Sequence, residues 1–131
     1  MEQKLINIGD KTYKCKIAKS EEDKRQGLMD IKHLPADEGA LFIWDDEDTR
    51  KMWMKNTYIP LDMIAINGDD EVTMIYPAKP EDETLISFIG TKYILEVNQD
   101  SGVKVGDDFE IDDSDDLNKY VMKVIGSDGG T

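Results

Sequence analysis

Apolar and polar positions alternate at the start of the chain. Leu5-Ile6-Asn7-Ile8 and Tyr13-Lys14-Cys15-Lys16-Ile17 flank Gly9-Asp10-Lys11. A period of two belongs to half-buried strands, so this stretch predicts an opening hairpin. A charged stretch headed by Ser20 follows. The serine hydroxyl is placed to cap a helix, Asp23 at the third helical position reaches back, and Glu21 and Glu22 suit the positive end of the helix dipole. A short helix is therefore expected near residues 20–29, ending between Gly27 and Met29. Pro35 breaks the chain. Gly39 then introduces Ala40-Leu41-Phe42-Ile43-Trp44, a run short enough for a buried strand, and the four acids Asp45, Asp46, Glu47 and Asp48 are expected to stop it.

Residues 51–57 and 61–66 have strand length and composition and are separated by Tyr58-Ile59-Pro60. Asn67-Gly68 favours a hairpin turn into residues 72–76, so two adjacent hairpins are expected. Pro77 and Pro80 bracket a polar connection. Residues 85–89 and 93–97 are two further apolar segments around Gly90, and one more strand is expected near 108–111. The fold class that results is mainly β, a β-rich α+β arrangement: a compact barrel-like or sandwich-like antiparallel sheet with one short helix.

Length and charge narrow the picture. A chain of 131 residues holds one hydrophobic core, placed here as a single β-rich domain over residues 1–111. With 16 Lys+Arg against 29 Asp+Glu, the net charge of -13 repels phosphate backbones and anionic lipid heads, so neither nucleic acid nor membrane is an expected partner. Residues 1–60 carry 12 acids and 11 bases, whereas 61–131 carry 17 and 5. Much of this surplus lies near the acid run Asp112, Asp113, Asp115 and Asp116. Residues 112–131 therefore read as an acidic loop followed by a strand-like C-terminal arm, Tyr120-Val121-Met122-Lys123-Val124-Ile125. That arm is either an edge strand of the same domain or a segment that pairs with another chain by strand addition. No stretch approaches the ~18 apolar residues of a membrane span, and the opening residues lack a secretory core, so a cytoplasmic or virion location without export is expected.

Candidate chemistry is sparse. Cys15 is the one cysteine and His33 the one histidine, and a strand thiol and a loop imidazole far apart make no nucleophilic dyad. The chain has no serine elbow and no phosphate-binding glycine loop, and the acid run lacks the glycine and distant glutamate of a calcium loop. No metal, cofactor or catalytic residue is therefore expected, and an enzyme is disfavoured. The informative segment is Met52-Trp53-Met54-Lys55-Asn56-Thr57 with Pro60-Leu61-Asp62. Read as a strand, it places Lys55 in an apolar setting where the ammonium needs a carboxylate, and Asp62 and Glu96 are the candidates. One reading makes Lys55, Asn56, Asp62 and Glu96 a buried polar network that fixes strand register. The other makes Trp53, Lys55, Asn56, Thr57, Asp62 and Glu96 the lining of a pocket where an aromatic face and convergent donors hold a sugar or another small polar ligand.

At these residues the chain resembles the domain-of-unknown-function 192 family. Asp23-Lys24-Arg25-Gln26-Gly27-Leu28-Met29 is similar to the family's acid-Arg-x-x-Gly-Leu-Met, and Leu34-Pro35 and Gly39-Ala40-Leu41-Phe42 resemble its Leu-Pro and Gly-Met-Leu-Phe. Trp53-Met54-Lys55-Asn56-Thr57 and Pro60-Leu61-Asp62 match the central blocks outright. Tyr93-Ile94-Leu95-Glu96-Val97 and Gly106-Asp107 resemble the closing ones. The resemblance covers residues 12–111 and implies a compact, mostly β fold with a short helix, but no settled reaction. The chain departs from the family at Lys24, Ile31 and Ala40, and Glu81-Asp82-Glu83 stands where relatives often carry a cysteine pair.

Two functions follow as expectations. The first is a non-enzymatic interaction module: a rigid β domain that works in a larger assembly, for example as a decorating or cementing component of a virus particle, with protein contacts or self-association through its arm. The second is a small polar-ligand binder or minor enzyme that uses the Trp53, Lys55, Asp62 and Glu96 pocket.

Overall fold

The computed structural model describes residues 1–113. The expected arm over residues 120–125, and most of the acidic segment before it, lie outside the described residues. Asp112 closes the last described strand.

The elements in chain order are β1 (Gln3–Ile8), β2 (Lys11–Ala18), α1 (Glu21–Gln26), β3 (Glu38–Met52), β4 (Leu61–Ile66), β5 (Val72–Ala78), β6 (Ile86–Asn98) and β7 (Phe109–Asp112). The strands form one sheet in the order β5-β4-β6-β3-β2-β1-β7. All neighbouring pairs are antiparallel except β2 and β3, which run parallel because α1 and its following turn carry the chain back to the starting edge. The sheet curls into a half-barrel whose outer strands approach each other at one corner. There Val72 N–H donates to the Asp107 carbonyl at 3.0 Å and Gly106 N–H to the Val72 carbonyl at 2.8 Å.

Each face of the sheet carries a buried apolar cluster. Inside the curl, Ile6, Ile8, Leu41, Ile64, Leu95 and Phe109 pack together, drawn from strands at both ends of the order. On the outer face Ala18, Phe42, Met63, Phe88 and Ile94 pack with Leu28, Leu34 and Met54, which come from the segments that cross over that face. Residues in these clusters alternate along each strand, as the pleat requires. Each fully buried Phe, Leu, Ile or Met side chain contributes about 1.5–3 kcal/mol.

The opening hairpin, the β4–β5 hairpin at Asn67-Gly68 and the strand near 108–111 are present. So is the helix, with Ser20 Oγ accepting from Asp23 N–H at 3.0 Å and Gly27 ending it at a φ of 43°. Three expectations are corrected. The acids Asp45 to Asp48 do not stop a strand: β3 runs through them as an exposed bulge, with Ile43 opposite Tyr93 and Asp48 opposite Thr91. Residues 85–89 and 93–97 are one strand, β6, bent at Gly90 where φ is 58°. Residues 53–57 are not a strand at all. They form a turn with Asn56 at a φ of 54°, so the expected hairpin between 51–57 and 61–66 does not exist.

Candidate binding site

The turn over residues 53–57 is held from two sides. Asp30 N–H donates to the Asn56 carbonyl at 2.9 Å, and Met54 N–H to the Asp82 carbonyl at 2.8 Å. Met54 points inward and is buried, which anchors the turn across the outer face of the sheet. Between this turn, the segment 21–29 and the β3 stretch from Phe42 to Met52, a cavity of about 360 Å³ remains, a size suited to a small ligand. Both tryptophans of the chain, Trp44 and Trp53, line it.

Glu96 is the one strand residue of β6 that reaches this cavity. It lies between Ala40 of β3 and Met63 of β4 in the register of the sheet, on the outer face, and is only 4% exposed. Its carboxyl makes no hydrogen bond or ion pair with a described residue. No fully sealed side-chain oxygen among the described residues lacks a partner, so the Glu96 oxygens keep an opening to the cavity. Burial pushes the Glu96 carboxyl up to about 8, because the charged form loses its hydration and no neighbouring cation is close enough to offset that loss. At neutral pH it is a protonated hydrogen-bond donor.

The walls are basic. Lys24 and Arg25 come from α1, and Arg50 and Lys51 from the end of β3. Trp44 is flanked by two of them, with Lys24 Nζ 4.8 Å and the Arg50 guanidinium carbon 4.7 Å from its ring centre. Arg50 is committed elsewhere: it donates to the Thr91 carbonyl at 2.9 Å and to Asp46, through both the carbonyl and Oδ1. Lys24 has one loose carboxylate, Glu21 at 3.9 Å. The Arg25 and Lys51 side chains are exposed and form no ion pair among the described residues.

Of the six residues assigned to a network or pocket from sequence, three meet here and three do not. Trp53 forms the lip, 40% exposed, while Thr57 is buried in the wall and Glu96 lies at the floor. Lys55 is exposed, its ammonium 5.2 Å from the Trp53 ring centre, and no described ion pair joins it to Asp62 or Glu96. The buried network expected around Lys55 is therefore corrected; the turn swings the side chain outward to water. Asn56 is exposed in the same turn. Asp62 is buried, but it faces the inside of the curl. In the pairing of β4 with β6 it stands opposite Val97, one position along from Met63 opposite Glu96, and adjacent positions point to opposite faces. Its Oδ2 accepts from Ser101 N–H at 3.0 Å and Ser101 Oγ at 2.7 Å, fixing the loop after β6. Sequence reasoning missed Lys24, Arg25, Trp44, Arg50 and Lys51. The block 23–29 carries a family resemblance, but its sequence alone gives no sign that it lines a site.

Four separated blocks thus converge: Asp23-Lys24-Arg25-Gln26-Gly27-Leu28-Met29, the run ending in Phe42, Trp53-Met54-Lys55-Asn56-Thr57 and Tyr93-Ile94-Leu95-Glu96-Val97 each send a residue to one cavity. The fold and site define a small half-barrel protein with a polar cavity on the outer face of its sheet. The chain belongs to the domain-of-unknown-function 192 family, described as "Uncharacterized ACR", whose model matches residues 4–111. Two solved structures are similar to it. One is a protein of unknown function from Novosphingobium aromaticivorans, 30% identical, with a TM-score of 0.79 over 82% of this chain and 84% of that one. The other is a proposed transcription regulator from Sinorhizobium meliloti, 30% identical, with a TM-score of 0.80 over 84% of this chain and 94% of that one. None of the curated proteins matches the chain. No helix among the described residues is long and apolar enough to cross a membrane.

Proposed function

We propose that this protein binds a small polar molecule, of about the size of a monosaccharide, in the cavity between Trp44, Trp53 and Glu96. The observation that carries this reading is the Glu96 carboxyl: buried, without a partner among the described residues, and open to a cavity of about 360 Å³. A side chain placed only for packing between Ala40 and Met63 would be apolar, whereas the Glu96 oxygens open to the cavity offer a polar ligand a hydrogen-bonding group at its floor. The two indole rings offer flat apolar surface beside the polar floor, the combination that small-molecule sites use for affinity and orientation. An interaction role through the C-terminal arm rests on residues outside those described, whereas the cavity lies wholly within them.

A ligand-observed NMR screen of neutral, acidic and basic monosaccharide derivatives tests the reading. Hits are expected for the full chain and should be lost in Trp53→Ala and Glu96→Leu, both checked for folding by circular dichroism. A screen without hits, or hits that persist in both variants, refutes it.

A further inference from the structure

We infer that the ligand of this cavity is a small organic anion, met at the rim by Lys24, Arg25 and Lys51 and at the floor by a hydrogen bond from Glu96. The inference rests on the binding reading above and adds the charge class of the molecule bound.

The first ground is charge contrast. The chain carries -13 overall, yet four of the side chains lining this cavity are cationic, and besides Glu96 only Glu21 is acidic. A concave patch of one sign inside a protein of the other sign concentrates the opposite ion locally. The second ground is availability. Arg50 is spoken for by Asp46 and Thr91, but Arg25 and Lys51 have no carboxylate among the described residues, and Lys24 has only the 3.9 Å contact with Glu21. Among the described residues none of these cations forms an ion pair with Glu96, although all of them line the same cavity. A ligand in the cavity of about 360 Å³ can therefore meet both sets of groups.

The third ground is the chemistry of the floor. A cation would need an ionised carboxylate at Glu96, and burial opposes that ionisation up to about pH 8. A protonated carboxyl instead presents one O–H donor, which pairs best with an anionic acceptor. The groups that bear on it are Glu21, Lys24 and Arg25 from the helix and Arg50 and Lys51 from β3. The facing residue of β4, Met63, carries no charge. Above its midpoint Glu96 becomes a second anion at the floor and repels the ligand.

The probes are D-glucuronate, D-glucose 6-phosphate and neutral D-glucose, titrated into the full chain and read by the fluorescence of the two cavity tryptophans. At least one of the two anions is expected to change the signal at a tenfold lower concentration than glucose, and which one does so distinguishes a carboxylate from a phosphate ligand. Replacing both Arg25→Gln and Lys51→Gln, at exposed positions that leave the fold intact, should weaken that anion about tenfold at low salt. Its affinity should fall between pH 6 and pH 9.5 in the wild type and stay level in Glu96→Gln. Glucose binding as well as the anions, or the double variant binding them undiminished, overturns the inference while leaving the binding reading in place. No response to either anion also overturns it, and the NMR screen then decides separately whether the cavity binds anything.

Discussion

Replacing Glu96 by glutamine should stabilise this protein at neutral pH. The side chain keeps its shape and its hydrogen-bonding capacity but can no longer ionise. In the folded chain, burial moves the Glu96 carboxyl from its ordinary 4.5 to about 8. Unfolded, it titrates at the ordinary value. Between those two points the unfolded chain has released the proton and the folded chain still holds it, so stability falls as pH rises and levels off above about 8. At ~1.4 kcal/mol per pH unit, the full displacement amounts to about 5 kcal/mol, of which about 3 kcal/mol is already lost at pH 7. Urea unfolding of wild type and Glu96→Gln at pH 4.5, 6, 7, 8 and 9, followed by circular dichroism, isolates this residue because every other titrating group is common to both. The two proteins should be nearly equal at pH 4.5. The variant should then gain steadily until about pH 8. Parallel curves over the whole range, or a variant less stable at pH 7, would refute the placement of an unpartnered carboxyl at the cavity floor.

Other positions give independent checks. Lys55→Ala should change stability by no more than about 0.5 kcal/mol in urea unfolding, since the ammonium is exposed; a loss of roughly 3–5 kcal/mol would instead mark a buried ion pair. Asp62→Ala should cost about 2 kcal/mol in the same assay, because the Ser101 N–H and hydroxyl lose their shared acceptor, and the variant should leave ligand binding at the outer face unchanged. Cys15 is fully buried and its thiol is pushed up by that burial, so it should resist iodoacetamide in the native protein and react once urea unfolds it.

Much of the fold was legible in the sequence because its signals are local. The hairpin around Gly9-Asp10, the Ser20 cap and the Asn67-Gly68 turn each depend on a few adjacent residues, and each is present. The errors came where tertiary contacts overrode local pattern. Trp53-Met54-Lys55-Asn56-Thr57 has strand composition, but it is drawn into a turn by the burial of Met54 and by hydrogen bonds to Asp30 and Asp82. The acids after Trp44 read as a strand stop, yet the long pairing with β6 absorbs them as a bulge with their charges in water.

The site was half legible for the same reason. Trp53, Thr57 and Glu96, grouped by the sequence, line one cavity, while Lys55 leaves it because a turn does not obey the period of two that a strand would impose. The sequence offers Asp62 and Glu96 as candidate carboxylates for Lys55 but holds no information on which face of the sheet each takes. The register between β4 and β6 puts them on opposite faces. Lys24, Arg25, Arg50 and Lys51 do not follow from spacing, because the first two come from α1 and the last two from the end of β3, and only the folded chain brings both elements to the cavity that Glu96 lines.

Glu96 stands protonated in an open cavity, without a partner among the described residues, and its own titration tests this most directly. Carboxyl-carbon NMR of the glutamate-labelled chain, with the resonance assigned by its absence in Glu96→Gln, should show a midpoint near pH 8 for this group. A midpoint between about 4 and 5, where solvated glutamates titrate, would contradict it.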